Sequence, residues 1–154
     1  MKTQTPLALS AAVATLALLP AANAQNNWGS VNPATATYVI VNPQVNGNRS
    51  LVSGGDYQTV LRAMSTDSAG AIKRRYPGAT IATDANTPGA IKVTPVLNAP
   101  GALLPWAKFS AALSLKLPSG QVINVRQNFG VLEVYQHRYN AANYIFDQLA
   151  GQLP

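Results

Sequence analysis

The sequence predicts an α+β two-layer sandwich, with a mostly antiparallel sheet of about five strands and two amphipathic helices on one of its faces. Three observations carry that expectation. Residues 106–117 alternate strictly, with Ala107, Phe109, Ala111, Leu113, Leu115 and Leu117 on one side and Lys108, Ser110, Ala112, Ser114 and Lys116 on the other. Residues 56–76 and 132–153 each repeat apolar side chains at helical spacing. The element order is strand, helix, two short strands, long hairpin, helix. Both helices are then available to cover the apolar sheet face, and the alternating face stays wet.

The composition agrees with one small globular domain. The chain has 154 residues, of which 47% are hydrophobic and 10% charged, with a formal charge of +6. A disordered chain would carry more charge and less apolar material. There is no Cys, which excludes disulfides, thiolate zinc sites, iron–sulfur clusters and a Cys nucleophile. A single His excludes a multi-histidine metal site within one chain. No cofactor is expected.

Residues 1–24 read MKTQTPLALSAAVATLALLPAANA. Lys2 supplies a positive start, residues 7–19 an uncharged apolar core, and Ala22-Asn23-Ala24 a small-residue cleavage signal, the pattern of a secretory signal peptide. The core is too short for a membrane span, which needs about 20 apolar residues. The expected mature chain starts at Gln25, carries no span, and is exported to the periplasm or beyond. It would have no Cys to lipidate and no disulfide, so its hydrophobic core alone would hold it together.

Residues 25–33 are polar and turn-rich and read as a loose N-terminal arm, with Trp28 as a pin to the body. Residues 34–154 then form one domain. Residues 34–41 (ATATYVIV) are β-branched and aromatic, a strand that Asn42-Pro43 ends or bulges. Residues 45–55 hold an Asn-Gly and a Gly-Gly pair and read as turn. The first helix starts with Asp56 as a cap, buries Tyr57, Val60, Leu61, Met64, Ser68, Ala71 and Ile72, and stops at Pro77-Gly78. Residues 79–83 form a short strand and 84–89 a turn. Residues 90–97 form a strand whose Pro95 suggests an edge or a bulge. Residues 98–105 (NAPGALLP) are an apolar loop. After the strand at 106–117, Pro118-Ser119-Gly120 turns the chain, and residues 121–129 return with Ile123, Val125 and Phe129 inward. The second helix buries Leu132, Tyr135, Tyr139, Ala142, Ile145, Phe146, Leu149 and Leu153.

This order is similar to the N-terminal domain of TolB and to the related periplasmic domains of LpoB and CsgG, in which a strand leads into a helix, a meander of strands follows, and a C-terminal helix packs back on the same face. The resemblance spans residues 34–153 as element order, with the hairpin 109–129 in the place of the group's long hairpin. It implies a periplasmic, non-enzymatic role. The chain departs from the group in having no lipid-anchor Cys and no following propeller or pore segment.

No catalytic constellation is legible. His137 has only Glu133 nearby, one turn away, a spacing that serves helix support. A glycosidase needs two carboxylates across a cleft. Of the five, Asp56 reads as a cap, Asp67 as a helix-flank residue with Arg74 one heptad later, and Asp84 as a turn residue, so little is left to build such a pair. Gly54-Gly55 before a helix could hold an anion, but Asp56 repels it.

Two candidate binding surfaces remain. Lys108, Lys116 and Arg126 project from the wet face of the hairpin, and Lys73, Arg74 and Arg75 end the first helix, where they complement its dipole or enlarge an anion-binding face. No aromatic interleaves them, so a nucleic-acid stacking platform is not expected. Leu103, Leu104 and Trp106 either cap the core between sheet and helix or form an exposed contact for a partner. The chain is expected to be a non-enzymatic binding or accessory module of the cell envelope, contacting a protein or an anionic envelope polymer. A small secreted hydrolase and a structural or inhibitor protein are the alternatives.

Overall fold

The structure, a computed structural model, describes residues 28–53 and 57–154. The signal peptide and cleavage site expected in residues 1–24, and the cap expected at Asp56 after Gly54-Gly55, lie outside the described residues. The strands are β1 (Thr37–Ile40), β2 (Gln44–Gly47), β3 (Thr80–Ala82), β4 (Ile91–Ala99), β5 (Lys108–Lys116) and β6 (Val122–Gly130). The helices are α1 (Ser50–Ser53), α2 (Tyr57–Arg75), α3 (Val131–Gln136) and α4 (Ala141–Ala150). The sheet runs β3-β1-β4-β5-β6, with β2 also paired to β4. The α+β sandwich is present, with six strands in a mixed sheet. β4, β5 and β6 form the antiparallel half, while β1 pairs β3 and β4, and β2 pairs β4, in parallel.

The extra strand comes from the segment whose Asn-Gly pair reads as a turn. Asn42 adopts a left-handed φ of 45°, which a short polar side chain tolerates. The chain jogs there and meets β4 a second time. β1 matches Tyr38 to Ile40 with Ile91 to Val93, and β2 then matches Gln44 to Gly47 with Val96 to Ala99. Pro95 falls between the two registers. It shares the parity of Val93, whose carbonyl accepts from Val41 N–H on that side (2.8 Å). The N–H that proline lacks therefore faces the seam between β1 and β2, where no ladder donor is needed. β4 is thus an interior strand, not the edge or bulge that Pro95 suggests.

The hairpin follows its alternation. Leu113 lies opposite Pro95 and Val125, and Leu115 opposite Val93 and Ile123. The loop closes with Gly120 at a φ of 89°, its N–H donating to Leu117 O (2.9 Å), a three-residue turn ending in a left-handed glycine. The inward side chains of β4, β5 and β6 join Met64, Ala71 and Ile72 of α2 and Ile145, Phe146 and Leu149 of α4 in one cluster. α2 and α4 pack on each other and on the same side of the sheet. Trp28 is buried in this cluster too, so the arm is pinned from that residue onward.

The second helix departs from the expected continuous stripe. α3 ends at Gln136, a 3₁₀ turn spans Arg138–Asn140, and α4 begins afresh. Tyr144 holds the break. Its hydroxyl donates to Glu133 Oε1 (2.5 Å) and its ring stacks on His137, centroids 3.8 Å apart. In one straight helix residues 133 and 144 would be about 16 Å apart along the axis, so these contacts require the chain to fold back. The break rotates Leu132, Tyr135 and Tyr139 out of the stripe, and all three are exposed. No described helix is long and apolar enough to cross a membrane.

Candidate binding surfaces

Both large helices lie on one side of the sheet, and among the described residues no element packs on the other side of β4, β5 and β6. That open face is built of small polar side chains. Across β4, β5 and β6 its rows read Lys92, Lys116, Val122; then Thr94, Ser114, Asn124; then Val96, Ala112, Arg126; then Asn98, Ser110, Asn128. Lys108 closes it opposite Gly130. The expected Lys108, Lys116 and Arg126 are all exposed there, and no Asp or Glu occurs on β4, β5 or β6.

The cations are regularly placed. Arg126 lies opposite Ala112, midway between Lys108 and Lys116 on the neighbouring strand. Four residues of extended chain span about 13 Å, so positive charge recurs at about that interval along the strand direction. A hydrogen-bonded row crosses the sheet beside it. Asn46 Nδ2 donates to Asn98 Oδ1 (3.0 Å), Asn98 Nδ2 donates to Ser110 Oγ (3.0 Å), and Arg126 Nε donates to the same hydroxyl (3.1 Å). The row links β2, β4, β5 and β6 and steadies the Arg126 guanidinium through one of its five N–H donors.

Lys92 belongs to this face and was missed by reading the sequence. It lies directly opposite Lys116, where like charges repel. The two line a cleft of about 330 Å³ with Asn86, Thr87 and the Pro118–Gly120 turn. Its signal is the alternation of Ile91 and Val93 around it at strand parity, which Pro95 interrupts two residues later.

The basic run on α2 is not part of the open face. Arg74 pairs with Asp147 (2.8 Å) and reaches Asn143. Arg75 donates to Leu153 O, and Lys73 donates to Pro77 O and Ala79 O. These three side chains tie the end of α2 to α4, the C-terminal segment and the following turn, all in or beside the helix layer.

A second cleft, about 340 Å³, opens in the helix layer between α2 and the α3–α4 segment. Met64, Phe109, Val134, Ile145 and Phe146 line it with a single carboxylate, Asp67. Burial raises the Asp67 pKa above the ordinary carboxylate value; Arg74 opposes the rise and Asp147 adds to it. A carboxyl whose folded pKa is raised contributes most to stability below its unfolded pKa, and that contribution is lost as pH rises through the folded value. Asp67→Asn is therefore expected to be more stable than the natural protein at neutral pH, with a flatter melting profile from about pH 4 upward. Thermal melts across pH check this; equal profiles would show that Asp67 is fully solvated.

His137 stands exposed against Tyr144. Glu133 accepts from Tyr144 and from Gly130 N–H (3.2 Å), which together hold its pKa below the ordinary carboxylate value. The carboxylate nearest the lone imidazole in sequence is thus occupied as a helix cap and a Tyr acceptor. Asp84 caps its own turn by accepting from Asn86 N–H (2.9 Å). No group of three or more His, Asp or Glu side chains that could hold a metal ion occurs among the described residues.

The loop after β4 settles one open alternative. Leu103, Leu104 and Trp106 are 52%, 43% and 75% exposed, so they do not cap the core. Pro100 and Pro105 bracket a segment held by the Asn48 side chain, whose Nδ2 donates to Gly101 O (3.1 Å), and by a local turn in which Ala107 N–H donates to Leu104 O (2.9 Å).

No family model matches the chain, and no curated protein matches it. Two solved structures are similar in part. One is the crystal structure of an uncharacterized protein, with a TM-score of 0.44 and 12% identity over 77% of this chain and 86% of that one. The other is a minor lipoprotein from Acinetobacter baumannii, with a TM-score of 0.25 and 12% identity over 74% of this chain and 85% of that one. Neither carries the name of the group that the element order resembles, so that resemblance rests on element order alone.

Proposed function

We propose that the chain is an exported, non-enzymatic binding module of the cell envelope that holds an anionic polymer along the open face of β4, β5 and β6. One observation carries the reading: Lys108, Arg126 and Lys116 recur at even intervals along the strand direction, staggered over β5 and β6, on a sheet face that no other described element covers and that holds no acid on β4, β5 or β6, with Lys92 beside its far end. A linear polyanion presents charge at repeated intervals, and such a line meets it at several points. The central side chains Ala112 and Ser114 are small and half-buried, so the polymer can lie close to the sheet there. Export follows from the signal-peptide pattern of residues 1–24. The hydrolase alternative has less to build on, because the helix-layer cleft is lined by one carboxylate among the described residues and the Tyr144 hydroxyl beside His137 is bonded to Glu133.

The test is a triple charge reversal, Lys108→Glu, Lys116→Glu and Arg126→Glu, followed by co-sedimentation with purified anionic envelope polymer. The natural protein should bind with an affinity that falls with salt, since surface attraction is screened over about 8 Å at physiological ionic strength. The triple variant should bind at least about tenfold more weakly, and His137→Ala should bind as the natural protein does. Binding that is unchanged by the reversal and insensitive to salt would overturn the proposal.

A further inference from the structure

Six of the seven large hydrophobic side chains exposed on the described surface gather at one end of the molecule. Leu103, Leu104 and Trp106 come from the β4–β5 loop; Leu132, Tyr135 and Tyr139 come from α3 and the 3₁₀ turn after it. Lys108 and Gly130 are paired across the sheet. Trp106 precedes the first of these by two residues, and Leu132 follows the second by two. Val131 N–H donates to Ala107 O (3.2 Å) and joins the two segments. Val122, the seventh, lies at the far end of the hairpin.

We infer that this end docks on the surface of an anionic phospholipid bilayer. The composition is that of a membrane-interface contact, in which Trp and Tyr sit among headgroups while Leu side chains reach the acyl boundary. The charge is complementary. Of the cations on the acid-free stretch between Asp84 and Glu133, Lys108 lies at this end and Arg126 four residues before Gly130, while Lys92 and Lys116 lie in the row of Val122 at the far end. Lys108 is exposed at the base of the loop, and Arg49 is exposed beside Asn48, which bonds Gly101 of the same loop. Among the described residues, Glu133 at this end is engaged by Tyr144 and Gly130, and Asp67 sits in the helix-layer cleft that Tyr139 also lines. The form of the patch also fits. Trp106 and Tyr139 are 75% and 98% exposed, so they project from the surface; a fluid interface accepts projecting side chains without a matching cavity. The open sheet face begins at this same end with Lys108, but the docking proposal stands independently of polymer binding there.

The experiment uses the protein recovered from the exported fraction and vesicles of phosphatidylcholine with or without phosphatidylglycerol. The variant Leu103→Ser, Leu104→Ser, Trp106→Ser removes the loop's apolar tips, and Val122→Ser is the control at the far end. All four positions are exposed, and thermal melts establish that the variants fold. The natural protein and the control should sediment with phosphatidylglycerol vesicles, and the triple variant should bind at least about tenfold less. Trp28 is buried in the core, so a blue shift of tryptophan emission on adding vesicles reports Trp106. Equal sedimentation of the triple variant, or no emission shift in the natural protein, would overturn the inference. So would a concentration-dependent dimer, seen by analytical ultracentrifugation and abolished by the triple variant, if vesicle binding were absent; the end would then be a contact between copies.

Discussion

Phe146→Ala is expected to lose about 3–5 kcal/mol of folding stability, the usual cost of truncating a buried aromatic side chain. Phe146 is 2% exposed on α4, inside the cluster that joins α2, α4 and the inward faces of β4, β5 and β6. It also lines the helix-layer cleft with Phe109, Met64 and Ile145. Removing the ring would enlarge that space at the place where the two large helices meet, and little around it can collapse to fill it: Met64 and Ile145 are buried by their own helices, and Phe109 is held on a paired strand. For a domain of this size the melting temperature should fall by roughly 10–20 °C. Chemical denaturation is the direct measurement. A loss below about 1 kcal/mol, the range of surface sites, would show that α4 does not pack as described.

Gly47→Ala has the second large effect, for a different reason. Gly47 ends β2 with a φ of 80°, and a Cβ placed there would lie 2.2 Å from the carbonyl oxygen of Ala99, its partner on β4. The left-handed backbone alone disfavours Ala by about 1–3 kcal/mol, and the contact with main-chain oxygen adds to it because neither strand can give way without losing pairs. The variant should unseat the end of β2, and with it Asn46, which begins the hydrogen-bonded row leading to Arg126. Gly101→Ala is the matched control: its Cβ would meet nothing within 4 Å, so stability should stay within about 0.5 kcal/mol. Equal melting temperatures for the two variants would mean that β2 does not pair with β4.

These two sites mark how far the sequence reaches. Phe146 was assignable to the core without a structure, because Ile145, Phe146 and Leu149 recur at helical spacing and Phe109, Leu113 and Leu115 at strand spacing, with no other apolar face to meet. Five of these six fall in the one cluster, and Phe109 is buried beside Ile145 and Phe146 at the cleft. Gly47 was not assignable. Its Asn-Gly pair is a local turn signal, and the register that makes it the last residue of β2 depends on Ala99, more than fifty residues away. The same applies to the candidate surface. Lys108, Lys116 and Arg126 could be placed on the wet face from alternation alone, but Lys92 joined them only when β4 proved to lie beside β5.

What the sequence determined by itself is therefore everything that repeats over short spans: the hairpin and its turn, the buried stripes of α2 and α4, the two faces of β5 and β6, and the absence of thiol chemistry. Periodicity settles these because a side chain's direction on a strand or helix follows from its position within that element. Only the tertiary structure decided which strands are neighbours, why Pro95 is tolerated inside the sheet, and that Lys73, Arg74 and Arg75 are spent on α4 and the C-terminal segment. It also decided that Tyr144 breaks the last helix and turns Leu132, Tyr135 and Tyr139 outward beside Trp106. Each of these depends on a contact between residues distant in sequence or on a chain reversal. The free energy of such contacts comes from side chains that meet only after folding, and no local pattern encodes that meeting.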